Sequence, residues 1–411
     1  MGGVEMRKTI TIGDLGEVIT GKTPLKTNKN YYGDYALFIK PTDISEDRKY
    51  TYETEDMYSQ LAAETYKTSL IPKGSICVPC IGTIGTKMTM SPCDCYTNQS
   101  INTIVCNERY DNEYVYYLIK NFLPSLKSYN LGTASGREYV SKSNFEMIEI
   151  DAEQDLTKQK RIGAILSRYD TLIENYQKQI KLLEEVAQRL YKEWFVDLRF
   201  PGHEKVKVVD GVPEGWERKK LGDLFSFVRG KSYTSKELSD SGVLLVNLKN
   251  IQAFGGYKRD AEKRFTGQYK PEQRLQKGDL VMGVTDMTQE RRLVGHVALI
   301  PSLNEDATYS MDLIKINTKG LPNPYLYSAM RFGGISNQIS PLANGVNVLH
   351  LKPEAMLDIE MIIPTGDIVF SFSKIVSLSF DKIDCLQSQI RLLGESRDRM
   401  LVKLMSGEIE V

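Results

Sequence analysis

The stretch Gly16-Glu17-Val18-Ile19-Thr20-Gly21-Lys22-Thr23 fits the pattern of a phosphate-binding loop. That chemistry needs a strand before the loop and a helix after it, whose N-terminal amides face the phosphates. Here Pro24 and a polar, Asn- and Tyr-rich stretch follow, with no helical period. Two other readings compete: a turn that shapes its domain, or a lysine placed against a DNA phosphate. A second constellation, Cys77-x-x-Cys80 with Cys93-x-Cys95, has the ligand number of a zinc site. Ile76 to Ile81, however, reads as a buried strand, and alternate strand residues point to opposite faces. Cysteine used as a small buried hydrophobe is the preferred reading. The three histidines, His203, His296 and His350, all lie beyond residue 200, which excludes a duplicated histidine centre. Neither a Pro-Pro-Tyr tripeptide nor a Phe-x-Gly-x-Gly loop for a methyl donor is present. The expectation is a chain with no catalytic residue, no metal and no cofactor.

The bulk composition sets the frame for these residues. At 411 residues the chain is long enough for two domains. Lys and Arg number 53 and so do Asp and Glu, which argues against a protein that grips DNA alone through a broad basic surface. It leaves room for one that contributes base contacts while partners neutralise phosphates. No apolar run reaches bilayer length, Met1 to Glu17 lacks a signal-peptide core, and Met6 stands where a myristoylation signal wants Ser or Thr. A cytoplasmic protein is expected, with its cysteines free of disulfides.

The elements that must position any site are written twice. Gly13-Asp14-Leu15 returns as Gly222-Asp223-Leu224, and Gly21-Lys22-Thr23 as Gly230-Lys231-Ser232. Pro72-Lys73-Gly74-Ser75-Ile76 parallels Gln276-Lys277-Gly278-Asp279-Leu280, and Ile84-Gly85 parallels Val294-Gly295. Tyr114-Val115-Tyr116 parallels Tyr325-Leu326-Tyr327, and Gly136 parallels Gly345. Each half then has an alternating apolar stretch predicting a strand, Phe145 to Ile150 and Leu357 to Ile363.

A long helical pattern follows each strand. In the first, Ile162, Leu166, Tyr169, Ile173, Tyr176, Ile180, Leu183, Ala187, Leu190 and Trp194 recur at alternating spacings of 4 and 3. In the second, Phe372, Val376, Ser379, Ile383, Leu386, Ile390, Leu393, Arg397, Met400 and Leu404 do the same at an offset of 210. Such a heptad seam keeps one stripe facing a partner helix, although each helix packing on its own domain is the plainer alternative. Phe200-Pro201-Gly202-His203 and Gly211-Val212-Pro213-Glu214-Gly215-Trp216 read as a linker. The predicted plan is a domain over 1–152, a helix over 153–198, a linker over 199–216, a second domain over 217–364 and a second helix over 365–407. The expected fold is α+β: two similar mixed α/β domains separated by two long antiparallel helices, an internal pseudo-two-fold repeat. A helix of about 40 residues is about 60 Å long, enough to act as a ruler between two DNA-reading modules a turn of duplex apart.

Phe200-Pro201-Gly202-His203, Val212-Pro213-Glu214-Gly215-Trp216-Glu217 and Leu221-Gly222-Asp223-Leu224 resemble the central region of type I restriction specificity subunits. So do Gly82-Thr83-Ile84-Gly85 with Asn98-Gln99-Ser100, and the ending Leu401-Val402-Lys403-Leu404-Met405-Ser406-Gly407. The first half departs from the pattern in having Met6-Arg7-Lys8 where the second opens on Trp216. The counterpart of Gly82 to Gly85 is lengthened to Val284 to Gly295. The resemblance implies two target-recognition domains, each reading one half of a bipartite sequence in double-stranded DNA. It implies an antiparallel helix pair that docks modification (methyltransferase) subunits, expected to be two, which methylate adenine. It also implies restriction subunits that translocate and cut DNA with ATP.

Base edges are read by Arg, Lys, Asn and Gln, and thymine methyls by small apolar groups. Polar loops that interrupt apolar strands supply the candidates. In the first domain these are Lys22, Thr23, Lys40, Thr42, Thr83, Thr86, Lys87, Asn98, Gln99 and Arg137. In the second they are Lys231, Ser232, Asn247, Lys249, Asn250, Thr285, Gln289, Arg291, Arg292, Asn344 and Asn347. Arg291-Arg292 stands first, because paired guanidinium groups suit phosphate or guanine. For every candidate a solvated surface or fold-stabilising role is the alternative. Two other functions compete: a non-enzymatic helical adaptor with two protein-binding domains, and an enzyme built on the loop at Lys22.

Overall fold

The computed structural model describes residues 7–130, 138–259 and 263–411. The chain divides into two compact units, Met1–Tyr176 with Ile390–Val411, and Gln177–Gln389.

In the first unit, Thr11 caps a single helical turn, Ile12–Leu15. The Asp14 carboxylate accepts from the Thr11 amide at 2.8 Å and from its hydroxyl at 2.9 Å. These bonds hold Asp14 below the usual carboxylate range, and the turn drops Ile12 and Leu15 into the core. The Gly-Asp-Leu repeat shares the turn and its buried residues, but the second copy, Leu221–Leu224 after Lys220, has no side-chain cap. A strand, Gly16–Thr20, follows directly and pairs with Ile101–Cys106. The sheet runs Gly16–Thr20, Ile101–Cys106, Ile76–Pro79, Thr89–Met90, antiparallel throughout. A second sheet sets Tyr32–Ile39 between Met57–Tyr58 and Tyr96–Thr97. The helix Asn112–Phe122, capped by Asp111, buries Tyr114 to Ile119. The strand Arg7–Thr11 closes the unit by pairing with Glu149–Glu153.

The second unit repeats the first sheet and extends the second from three strands to four. Its first sheet runs Phe225–Arg229, Leu313–Thr318, Leu280–Gly283, Val297–Leu299. Its second sheet pairs Val243–Val246 with Ala307–Tyr309 in parallel, as Phe38 and Ile39 pair with Tyr96 and Thr97 in the first unit. The turn Leu221–Leu224, the helix Asn323–Phe332 and the closing pair Glu217–Lys220 with Glu360–Ile363 complete the match.

Two predicted strands shift. Phe145 belongs to a short helix, Lys142–Glu146, because the Ser141 side chain accepts from the Asn144 amide and caps it. The strand begins only at Glu149. Leu357 likewise follows a 3-10 turn, Pro353–Met356, and the strand there is Glu360–Ile363. An apolar residue on one face of a short capped helix mimics strand alternation over so few positions.

The long helices are Leu156–Tyr191, extended by a π turn over Lys192–Val196, and Gly366–Ser406. Every seam position is buried or half-buried, whereas neighbours such as Leu182, Leu378 and Leu392 are exposed. In the first unit Ile162 and Leu166 share a core with Leu401, Leu404 and Met405, and Asp170 meets Arg397. In the second unit Ala187, Tyr191 and Trp194 share a core with Phe372 and Val376. The Tyr191 and Trp194 rings lie 6.0 and 5.9 Å from that of Phe372. In each unit the two helix segments run antiparallel and pack on the domain beside them. The Pro- and Gly-rich stretch between the halves is anchored at both ends, since Phe200 and Trp216 are buried with ring centroids 5.1 Å apart.

Candidate nucleic-acid interface

At one edge of the second unit, five loops are tied together. The Lys231 amide donates to the Tyr309 carbonyl at 2.8 Å, and the Met311 amide to the Lys231 carbonyl at 2.9 Å. The Val284 amide reaches the Asp312 carbonyl at 2.8 Å, and the Thr285 hydroxyl reaches the Asp312 carboxylate at 3.1 Å. Thr285–Asp286 pairs with Leu349–His350, so the loop after Asp286 stands beside the hairpin turn 344–348. Gln289 Nε2 donates across the two loops to the Val346 carbonyl at 2.9 Å. The Phe254 amide donates to the Arg292 carbonyl at 2.8 Å.

Asp286 anchors the loop between it and Val294. Its buried carboxylate accepts from the amides of Thr288 at 2.8 Å, Leu293 at 2.7 Å and Val294 at 3.4 Å. Burial pushes its pKa up, but the amide bonds outweigh burial and hold it low and ionised. Arg291 and Phe254 take left-handed backbone angles, φ 52° and 64°. Such conformations persist in residues with side chains only when surrounding bonds over-determine them. The buried His296, its ring edge-on to Phe254, has a lowered pKa because burial disfavours its cation.

The candidates of this unit separate by burial. Lys249, Ser232, Gln289, Arg292, Asn344 and Asn347 are exposed, and Lys231 and Arg291 half-buried. Gln289 spends its amide group on Val346, and Arg292 is ion-paired with Glu290. Asn247, Asn250 and Thr285 are corrections: all three are buried. Asn247 caps a 3-10 turn by accepting from the Lys249 amide at 3.0 Å, and Asn250 donates to the Lys258 carbonyl at 3.1 Å. Their amides replace missing backbone partners, a use of asparagine that sequence does not separate from base reading.

In the first unit Lys22, Thr23, Thr42, Thr83, Thr86 and Gln99 are exposed. The Thr23 hydroxyl bonds the Gln99 side chain. Lys40 is half-buried and paired with Glu55 at 2.6 Å and Asp56 at 2.9 Å. Lys87 turns inward to the Ile44 carbonyl at 3.2 Å. Asn98 holds its own turn, accepting from the Ser100 amide at 3.1 Å. Arg137 lies outside the described residues, as does Gly136.

The loop at Lys22 has a structural explanation. The Gly21 and Lys22 amides, which a phosphate would need, donate to the Ile101 and Thr97 carbonyls. A Cβ on Gly21 would stand 2.1 Å from the Thr97 carbonyl oxygen, and one on Gly230 would stand 2.0 Å from that of Ser310. The repeated glycine is required by close backbone approach. Of the cysteines, Cys77 packs with Ile39, Ile71 and Cys95, while Cys80 packs with Ile76 and Val78 in a different cluster. Burial pushes the thiols of Cys77 and Cys80 up to about 12, so they stay protonated. Among the described residues no group of His, Cys, Asp and Glu could hold a metal, and no helix is long and apolar enough to cross a membrane.

Exposed apolar side chains at the second unit's edge were not anticipated: Phe254, Met287, Met311 and Val346. The available signal was an apolar residue inside a polar run, as in Thr285-Asp286-Met287-Thr288-Gln289.

Residues 5–185 match the family described as type I restriction modification DNA specificity domain. Over 97% of its length the chain is 28% identical to the type I restriction enzyme MjaIX specificity subunit of Methanocaldococcus jannaschii, covering 93% of that protein. Over nearly its whole length the chain is similar to a type I restriction specificity subunit. A specificity subunit of Haemophilus influenzae, that of the type I enzyme HindI, is 38% identical over 152 residues, 36% of this chain and 31% of that one. The crystal structure of an S subunit from M. genitalium shares the fold of this chain, with a TM-score of 0.60 at 17% identity over 97% of this chain and 96% of that one.

Proposed function

We propose that the chain is a type I restriction specificity subunit that reads a bipartite sequence in double-stranded DNA, with residues 1–152 and 217–364 as its two target-recognition domains. The segments 153–198 and 365–407, built around the two long helices, dock two modification subunits, and 199–216 is the linker. The chain carries no catalytic centre. Adenine methylation and ATP-dependent cleavage belong to partner modification and restriction subunits. One observation carries this reading: both units build the same four-strand order in the first sheet and the same closing strand pair, yet end in loops of different length and chemistry. A shared frame with divergent edges is what two readers of two different half-sites require.

The candidate contacts that fit this role are the exposed ones, chiefly Lys22, Thr23, Thr83, Thr86 and Gln99 in the first domain, and Lys249, Arg292, Asn344 and Asn347 in the second. The test is a methylation map of cells carrying the chain with its modification subunit, before and after exchange of residues 217–364 for a homologous domain. One half-site is expected to change while the other stays. Change in both halves contradicts modular reading, and indifference to DNA sequence favours the adaptor.

A further inference from the structure

The second unit exposes apolar side chains where its frame gives them no reason to be. Met287 is 79% exposed and Val346 90% exposed. They stand on neighbouring tips, since the pair Asp286 with Leu349 is the last rung before both loops turn away, and Gln289 joins the tips through the Val346 carbonyl. Neither tip is loose chain. Three amides on the Asp286 carboxylate fix the first, and the bridge of Asn344 with His350 fixes the second. Ordering two loops to hold apolar groups in water costs solvation and gains nothing inside the unit. The arrangement makes sense as preorganisation for a partner. The flanking exposed groups, Arg292, Asn344 and Asn347, are donors suited to phosphates and base edges.

Among groups on a base edge, only the thymine 5-methyl offers an apolar partner in the major groove. We propose that Met287 and Val346 together form an apolar reader of a thymine 5-methyl group in the half-site bound by the second unit. This rests on the reading of that unit as a target-recognition domain. Valine supplies a stiff contact and methionine an adaptable one that fills the remaining gap.

The experiment uses the full chain assembled with its modification subunits, on the duplex identified by methylation mapping. Each thymine of the second half-site is replaced in turn by uracil, which removes only the methyl group. The wild-type complex is expected to lose about four-fold in affinity at one position. The double variant Met287→Ala, Val346→Ala is expected to bind the thymine and uracil duplexes equally there. Both side chains are exposed, so the variant keeps its fold, and unchanged binding to changes in the other half-site checks this. Wild-type indifference to the methyl at every position overturns the proposal, as does a variant that keeps the full discrimination. Loss of assembly with modification subunits at an unchanged thymine-to-uracil ratio also overturns it, because the tips then face a protein. A wild-type complex with no sequence preference at all sinks the underlying functional reading instead.

Discussion

The two units solve one packing problem with different charges. In the first, the Tyr117 hydroxyl donates to Asp170 at 2.6 Å, and Arg397 pairs with the same buried carboxylate. Burial works against the Arg397 cation, but Asp170 more than restores it and the pKa rises. At the helix offset of 210 the second unit has Phe380 and Ala187 in place of Asp170 and Arg397. The Phe380 ring meets Tyr327 edge-on at 5.2 Å. Nearby, Lys49 of the first unit is buried against Glu113, with its ammonium 5.1 Å from the Tyr116 and Tyr117 rings. The second unit has Pro324 at the place of Glu113. It pairs Arg331 with Glu184 at 3.1 Å instead, where the first has Lys120 and Gly394. Partners are exchanged in sets, because a buried charge that loses its partner is far more costly than an apolar pair of similar volume.

The comparison can be broken first at Asp170 and Arg397. Asp170→Ala or Arg397→Ala alone is expected to destabilise the first unit by about 3–5 kcal/mol in denaturant titration. The double variant Asp170→Phe, Arg397→Ala imports the second unit's pair and is expected to recover most of that loss. The residual cost is that of an unpartnered Tyr117 hydroxyl, about 1–3 kcal/mol. A double variant as unstable as the singles would show that the sets are not interchangeable.

Gly21→Ala and Gly230→Ala test a feature the units share. Each places a Cβ inside a carbonyl contact, and each is expected to cost about 2–3 kcal/mol. A loss at only one of the two would mean the turn has different roles in the two halves.

Asp286 tests a feature they do not share, since Ile81 of the first unit, bridged to Tyr139 as Thr285 is paired with His350, is followed by Gly82. Asp286→Asn is expected to cost about 1–3 kcal/mol. The folded pKa of Asp286 lies below its unfolded value, so its contribution is complete above about pH 4. It is lost as pH falls through the lowered folded value. Protection of the Leu293 and Val294 amides, corrected for intrinsic exchange, should fall across that range while amides bonded only to backbone carbonyls, such as that of Ile71 on Cys95, do not follow.

The smallest effect concerns the thiols. Cys93 and Cys385 are exposed and should react with a disulfide reagent at pH 8 in the native protein. Cys77 and Cys80, held protonated and buried, should react only on unfolding. The second unit has Val281 at the place of Cys77, so their labelling reports the first unit alone.

The repeat, the order of elements and the two heptad seams were legible from sequence, because each is a local or periodic property. Gly-Asp-Leu makes a single helical turn with its leucine buried in both halves, and spacings of 4 and 3 keep a stripe on one face whatever that face meets. Which loop residues look outward was not legible. Asn250 and Asn347 are the same residue type in equally polar runs, yet one is buried on the Lys258 carbonyl and the other exposed. Met287 and Val346 sit in stretches that read as ordinary loop. Their exposure depends on a side chain 57 residues away in sequence from the carbonyl it reaches. Sequence by itself determined a doubled frame with paired helices. Only the tertiary structure decided which side chains that frame leaves at its edge, since burial is set by whatever distant loop happens to cover a residue, and no local pattern records that.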